Sequence, residues 1–204
     1  MNNTEFKIVK KKINKIYLSQ IIKIIKSQNN TSVLSKLNFN NILNFINGVI
    51  KSNQLDLYLA YNKRVVGYAI IAKKPKYLTL IFEAYKYKFI FDLVIHFNFS
   101  TIINLFLFKI GLENILIPIK EKKIVENSVN LNLLAIDKNY QSKGLGKKFM
   151  NFIIKNLGKK DKILSCETDN KRSKNFYIKK LNFREIGKKV RYPIFTSVLV
   201  KNLK

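Results

Sequence analysis

The chain has 204 residues, 47% of them hydrophobic, which is enough for one sizeable core and predicts a single domain spanning 1–204. Its formal net charge of +27 predicts nonspecific attraction to polyanions, but the lysines are scattered along the whole chain and do not mark a dedicated nucleic-acid site. One cysteine and one histidine exclude an intrachain disulfide and a His/Cys metal cluster, and the N-terminus lacks the apolar core of a signal peptide, so we expect a cytoplasmic protein without a metal.

Apolar periodicity predicts the elements of the N-terminal part of the chain. A first strand is followed by two helices with apolar residues at helical spacing, and then by two strands joined by a polar turn that is typical of a hairpin. The predicted ranges are a strand at 6–12, helices at 15–27 and 35–51, and strands at 55–60 and 65–72.

Residues 77–128 form the least regular region and are interpreted as an insertion that carries apolar helices at about 83–96 and 99–111. The run 89–108 is nearly long enough to span a bilayer, but Asp92 and His96 interrupt it, so spanning is not expected. We favour a lid that buries its aromatic side chains against the sheet or against a second copy in a homodimer. Contact with an anionic membrane surface is left open.

The segment after the insertion has the composition of an anion site. An apolar strand, 131–136, leads into a helix that begins near Gly144, and three lysines, Lys143, Lys147 and Lys148, flank the junction. The first turn of a helix offers unpaired N–H groups and the positive end of the helix dipole, and glycine lets the backbone approach a phosphate closely. An ordinary glycine turn with solvated lysines is the alternative, and the Walker and Rossmann glycine patterns do not fit.

Two blocks of residues resemble one known family. Gln141, Gly144 and Gly146 match the pattern Gln/Arg-x-x-Gly-x-Gly/Ala, and after a strand at 162–168 the residues Asn170, Ser173 and Tyr177 match Asn-x-x-Ala-x-x-x-Tyr. The order and separation of these blocks resemble the GNAT superfamily of acyl-CoA-dependent N-acyltransferases.

The chain departs from the family pattern at three positions. Lys138 stands where proline is usual, Ser173 replaces alanine, and Asn182 replaces glycine. Serine is small, and asparagine tolerates a left-handed backbone at the end of a helix. Phe176 and Tyr177 remain open to a second interpretation, as core anchors of an amphipathic helix.

The resemblance implies an α/β fold, with a twisted, mixed (α+β) central sheet flanked by helices on both faces. Residues 129–168 should then form a strand–helix–strand parallel crossover, and a last hairpin is predicted at about 183–201. The helical insertion should precede the central strand.

The resemblance also implies acetyl-CoA as co-substrate and direct attack of an amine on its thioester. Tyr177 is the expected acid for the leaving thiolate, and Glu126 is favoured as base among the carboxylates Glu83, Glu126, Asp137 and Glu167. Cys166 and His96 are given no catalytic role. The expected donor-binding residues are Leu134, Ala135, Ile136, Gln141, Ser142, Lys143, Gly144, Leu145, Gly146, Lys147, Asn170, Ser173 and Tyr177.

The donor motifs do not specify the acceptor. We expect a primary amine of a small molecule, with an amino sugar as one candidate, and a protein N-terminus or lysine as the alternative. A different class also stays open: a non-catalytic basic module that binds RNA or an anionic membrane.

Overall fold

The computed structural model describes residues 4–10, 12–28, 33–95, 103–104, 106–107, 112–158 and 160–203. Its framework is a seven-stranded mixed sheet in the order β1-β2-β3-β4-β5-β7-β6, in which β4 and β5 are parallel and the other neighbours are antiparallel. The strands are β1 Glu5–Val9, β2 Leu55–Asn62, β3 Arg64–Ala72, β4 Val129–Ile136, β5 Ile163–Thr168, β6 Arg184–Arg191 and β7 Ile194–Asn202. The mixed sheet and the parallel β4–β5 pair confirm the predicted α/β architecture.

Helices cover both faces of this sheet. On one face the helices nearest the N-terminus pack against β2 and β3 around Phe45 and Ile70, and on the other face a helix after β4 packs around Phe149 and Ile153, all of them fully buried. The described helices are α1 Lys15–Ser27, α2 Val33–Lys36, α3 Phe39–Lys51, α4 Lys76–Ala84, α5 Lys86–Ile95, α6 Ile119–Glu126, α7 Leu145–Lys155 and α8 Lys171–Asn175.

The predicted helix at 35–51 is two helices. Asn38 breaks it, because its backbone is extended and its side chain accepts a hydrogen bond from the Asn41 N–H at 2.8 Å, which caps α3. Apolar spacing continues across this break, so periodicity alone did not reveal it. The prediction of α1 at 15–27 is confirmed, and Asn14 caps that helix in the same way.

The insertion is attached to the N-terminus of α3. Asp92 of α5, 5% exposed, accepts hydrogen bonds from the Asn38 backbone N–H at 2.5 Å and from Asn41 Nδ2 at 3.1 Å. A carboxylate at this end of a helix is stabilised by the helix dipole. The aspartate that interrupts the apolar run therefore fixes the insertion to the sheet-bound helices.

Only some of the aromatic side chains of the insertion are buried, as the predicted lid requires. Phe89 is buried as expected, but Phe91 and Phe106 of the apolar run are 68% and 62% exposed, so the expectation of burial against the sheet is wrong for these two, and burial against a second copy stays a prediction. The predicted helix at 83–96 is replaced by α4 and α5, which meet at Tyr85. His96 and most of the predicted helix at 99–111 lie outside the described residues.

Within the described ranges, no helix combines the length and the apolar character that crossing a membrane requires. The interpretation of 1–204 as one domain with an insertion at about 77–128 stays a prediction.

Candidate active site

The central strands β4 and β5 separate from one another part-way along their length. They pair only through Val129–Leu131 of β4 and Leu164–Cys166 of β5. Just beyond, β4 carries a bulge at Asn132, because Ile70 and Ile71 of β3 pair with residues on either side of it. We call the opening between residues 132–136 and 167–168 the fork.

Backbone N–H groups of β4 point into the fork. The Asp137 N–H donates to the Val66 carbonyl at 2.8 Å and therefore faces β3. Successive residues of a strand direct their backbone groups to alternate sides, so Ala135 also faces β3, whereas Leu134 and Ile136 face the fork. Two of the three predicted β4 residues thus offer N–H donors to a group bound there.

The paired base of the fork is held by buried hydrogen bonds. Ser165 Oγ of β5 lies 2.6 Å from Ser128 Oγ and accepts from Asn130 Nδ2 at 2.8 Å, and all three residues are buried. Satisfied polar networks in a core fix one arrangement of the strands. Sequence reasoning missed this cluster, because isolated serines and asparagines carry no spacing signal.

The loop that follows β4 has the backbone geometry of an anion cradle. Ser142 and Gly144 are left-handed, with φ of 60° and 77°, and Gly144 is the N-cap of α7. No atom lies within 4 Å of where a Gly144 Cβ would stand, so the space beside the helix N-terminus is open. Gln141 Nε2 donates to the Ile136 carbonyl at 2.8 Å and ties this loop to the end of β4.

The side chains of the loop serve different purposes. Leu145 is buried in the core, so only its backbone N–H faces outward, and a Cβ at Gly146 would lie 3.4 Å from the Phe176 ring. That distance is an ordinary van der Waals contact, so packing alone does not require glycine at 146, and its role in ligand approach stays a prediction. Lys147 is exposed, and Lys143 donates to the Asn139 carbonyl at 2.9 Å.

The second motif lies against the same loop. Asn170 caps α8 by accepting from the backbone N–H groups of Arg172 and Ser173 at 2.8 and 3.2 Å. Arg172 Nη2 donates to Ser142 Oγ at 2.7 Å, so a guanidinium stands beside the open space at Gly144. The sequence analysis did not select Arg172, although its position two residues after Asn170 of the motif could have indicated a cation near the anion site.

We expect Arg172→Ala to weaken acetyl-CoA binding about tenfold, since charge-assisted hydrogen bonds contribute roughly 1.5 kcal/mol or more. Calorimetric titration measures the affinity. Lys171→Ala, which removes an exposed neighbouring cation, is the matched control and should leave it within about twofold. Equal losses in both variants would show that only the general positive field matters.

Tyr177 lies beside the point where the strands part. Its side chain is 7% exposed, its ring packs on Phe183 at 5.3 Å, and burial raises its pKa well above the ordinary value of 10, with a smaller contribution from Cys166. The phenol therefore stays protonated. Residues Phe176–Lys180 form a π-helical turn that the regular helical spacing did not predict, and Asn182 is left-handed with φ 57°, as its place in the motif requires.

Cys166 is buried as predicted, and burial also raises the pKa of its thiol, which disfavours the nucleophilic thiolate. Among the described residues, no group of three or more His, Cys, Asp and Glu side chains is placed to hold a metal ion.

The candidate bases occupy four different places. Glu126 is exposed at the end of α6, where β4 begins, so the length of β4 separates it from Leu134 by about 20 Å and the structure does not bring it to the fork. Asp137 accepts from the Asn139 N–H and pairs with Arg64 at 3.2 Å, and Glu83 is exposed on α4. Only Glu167, of these four, lies at the fork.

Glu167 belongs to a four-residue ion cluster. It pairs with Lys189 at 2.7 Å and with Arg191 at 3.4 Å, and both cations also pair with the buried Glu113. Burial raises the pKa of Glu167, but the two cations outweigh burial and hold it below the ordinary value of 4.5. The carboxylate is ionised at neutral pH and is a weak proton acceptor.

This shift predicts a pH dependence of stability. Because the pKa of Glu167 is lower in the folded state than the unfolded value of 4.5, its contribution is present above about pH 4.5 and is lost as the pH falls through the folded value. We expect Glu167→Gln to lower the free energy of unfolding by about 2 kcal/mol at pH 7. Urea unfolding measures the free energy of both proteins, and the difference between Glu167→Gln and wild type should shrink below pH 4.5. The control variant Glu83→Gln, at an exposed position, should have nearly the wild-type free energy of unfolding. A difference independent of pH would contradict the cluster.

Two surface cavities lie away from the fork. One of about 330 Å³ lies between α3 and α4 beside Gly48 and Tyr77, and one of about 790 Å³ lies beyond the end of α7 beside Ile154 and Asp161. Neither contains a residue of the two motifs.

Comparison with known structures identifies the fold. Three solved structures align over 98% of this chain: the ribosomal-protein-S18-alanine N-acetyltransferase of Escherichia coli (12% identity, 95% of that chain, TM-score 0.57), a mosquito arylalkylamine N-acetyltransferase like 5b (14%, 100%, 0.58), and a chain of the NatC complex bound to Gag peptide and CoA (13%, 99%, 0.56). At these identities the likeness establishes a fold shared with N-acetyltransferases. A comparison with curated proteins gives no match.

Part of the sequence matches a family model. Residues 117–183, which contain β4, the loop, α7 and the α8 motif, match the sequence model of the Acetyltransferase (GNAT) family. Over these residues, about a third of the chain, the sequence is similar to that family, and the solved structures establish a fold shared with N-acetyltransferases.

Proposed function

We propose that this protein transfers an acetyl group from acetyl-CoA to a primary amine of a small molecule, by direct attack within a ternary complex. The observation that carries the proposal is the fork, which opens between β4 and β5 beside the left-handed loop at Gly144. One opening thus adjoins an anion cradle, backbone donors and a protonated phenol.

The loop and α7 would hold the donor's pyrophosphate. Free N–H groups at the start of α7, with the positive end of the helix dipole, favour a phosphate at the open space beside Gly144. Lys143, Lys147 and Arg172 add positive charge around it. Asn170 and Ser173 lie at the start of α8, next to this cradle.

The acetyl group would lie in the fork. The N–H groups of Leu134 and Ile136 are aimed where a thioester carbonyl would become an oxyanion, and such preorganised donors lower the barrier. The acceptor nitrogen forms a C–N bond to the carbonyl carbon, the C–S bond breaks, and the Tyr177 phenol donates its proton to the departing thiolate. The attacking nitrogen then releases its second proton to solvent, and solvent returns a proton to the Tyr177 phenolate.

The acceptor ammonium must lose a proton before it attacks. Glu167 stands at the fork, but two cations lower its pKa, and Glu126 lies at the far end of β4. We therefore assign this proton to solvent water in the fork, which fits an acceptor whose free amine is appreciably populated at working pH.

The class of acceptor is proposed from the charge of the chain and from the names of solved structures with a similar fold. A chain with net charge +27 repels polyamines. The names of the similar structures mention an alanine of a ribosomal protein, an arylalkylamine and a bound peptide. A small-molecule amine, with amino sugars among the candidates, is our proposal, and a protein N-terminus or lysine is the alternative.

Titration calorimetry with acetyl-CoA tests the donor site. At about 150 mM salt, where charges on the surface are screened, we expect saturable one-site binding that ATP does not reproduce. Turnover is then measured with three candidate acceptors, an amino sugar, an arylalkylamine and an N-terminal peptide, by following the release of the coenzyme A thiol. Equal binding of ATP and acetyl-CoA would leave a basic module without a donor site and would overturn the proposal.

A further inference from the structure

A group of large apolar side chains lies exposed where the insertion meets the β6–β7 turn. Each is between 39% and 63% exposed. We call this group the apolar face; its members are Ile103, Phe106, Leu112, Ile115, Leu116, Tyr192, Ile194 and Phe195. Single exposed apolar residues are ordinary, but a large group in one place marks an interaction surface.

Polar contacts show that the two parts of the apolar face are adjacent. Asn104 Nδ2 donates to the Tyr192 carbonyl at 2.9 Å, and the Tyr192 N–H donates to Asn104 Oδ1 at 2.6 Å, so one side-chain amide binds both backbone groups of Tyr192. Glu113, flanked by Leu112, forms an ion pair with Arg191 at the end of β6. The insertion is therefore fixed against the turn, and its exposed apolar residues flank the contacts.

The charges of this region are segregated. Residues 86–117 contain two acidic residues, Asp92 and Glu113, which are 5% and 3% exposed and are held by contacts within the protein. Lys188 of β6, the strand that leads into the turn, is exposed to solvent. The two carboxylates of this segment are thus buried, while Lys188 and the apolar side chains face outward.

We propose that the apolar face docks on the surface of an anionic lipid bilayer. Aromatic and aliphatic side chains would enter the boundary between headgroups and acyl chains, and Lys188 and the net charge of +27 would favour anionic headgroups. A second copy of the chain fits less well, because each copy carries a net charge of +27 and the two would repel. A nucleic acid would match the charge but would leave the aliphatic side chains in water. This inference is independent of the proposed acetyl transfer.

Vesicle flotation tests the proposal. At about 150 mM salt, the full chain should float with vesicles of phosphatidylcholine mixed with phosphatidylglycerol, and much less with phosphatidylcholine alone. The double variant Phe106→Ser/Phe195→Ser should bind the anionic vesicles about tenfold more weakly, since two rings no longer enter the interface. Both side chains are more than half exposed, at 62% and 57%, so the fold should be unchanged.

The matched control removes exposed apolar residues elsewhere. Ile16→Ser/Phe39→Ser changes side chains that are 61% and 52% exposed on α1 and α3 and should bind vesicles as wild type does. Equal losses in the two double variants, or no binding to anionic vesicles, would overturn the proposal. So would a dimer, measured by light scattering without vesicles, that Phe106→Ser/Phe195→Ser dissociates, because a second copy would then cover the face.

Discussion

Gly144→Val will weaken donor binding by about 100-fold and will also destabilise the fold. Gly144 has φ 77°, where a β-branched residue is strained by roughly 1–3 kcal/mol, and its side chain would project into the open space proposed for the pyrophosphate. Losing two hydrogen bonds to a charged group, each worth roughly 1.5 kcal/mol, weakens affinity by about 100-fold. Calorimetry with acetyl-CoA and urea unfolding measure the two effects.

The variant Gly144→Asn separates the effect of backbone strain from the effect of a side chain that fills the proposed phosphate site. Asparagine tolerates a left-handed backbone, as Asn182 already does in this chain, so the free energy of unfolding should stay close to wild type. Its side chain still fills the open space, so acetyl-CoA should bind weakly. A Gly144→Asn variant with full affinity would show that the phosphate lies elsewhere.

Tyr177→Phe will lower kcat by about 100-fold, because general-acid assistance to the thiolate is lost. Acetyl-CoA affinity should change by less than about twofold, since the phenol acts on the leaving group and not on the pyrophosphate. In the wild type, kcat should not fall up to about pH 10, because burial raises the pKa of Tyr177 above that value. Steady-state kinetics across pH, with calorimetry for affinity, provide the test.

The control for this variant is a second buried tyrosine. Tyr58 is 1% exposed in the same core cluster as Tyr177, and burial raises its pKa as well. Tyr58→Phe should leave kcat unchanged within about twofold. If Tyr177→Phe instead behaved like Tyr58→Phe, or lost affinity and kcat in equal measure, Tyr177 would be a core anchor only.

Local sequence signals placed most elements where periodicity and turn chemistry agree. The α1 helix, the β2–β3 hairpin and the β4–α7–β5 crossover follow from apolar spacing and from residues whose preferences hold in any context. The split at Asn38 and the π-helical turn at Phe176–Lys180 escaped prediction, because apolar spacing runs on through both. In the insertion, the aromatic content predicted that these side chains are buried, but in the folded chain Phe89 is buried and Phe91 is exposed.

By itself the sequence determined the elements and the motif positions, since the glycines, the caps and the periodic apolar residues act through their immediate neighbours. Only the tertiary structure decided which groups meet: Arg172 beside Ser142, Glu167 rather than Glu126 at the fork, and inward-facing Asp92 and Glu113 beneath exposed aromatics. These pairings join residues far apart in the chain. They depend on how strands separate and helices pack, which no local spacing encodes.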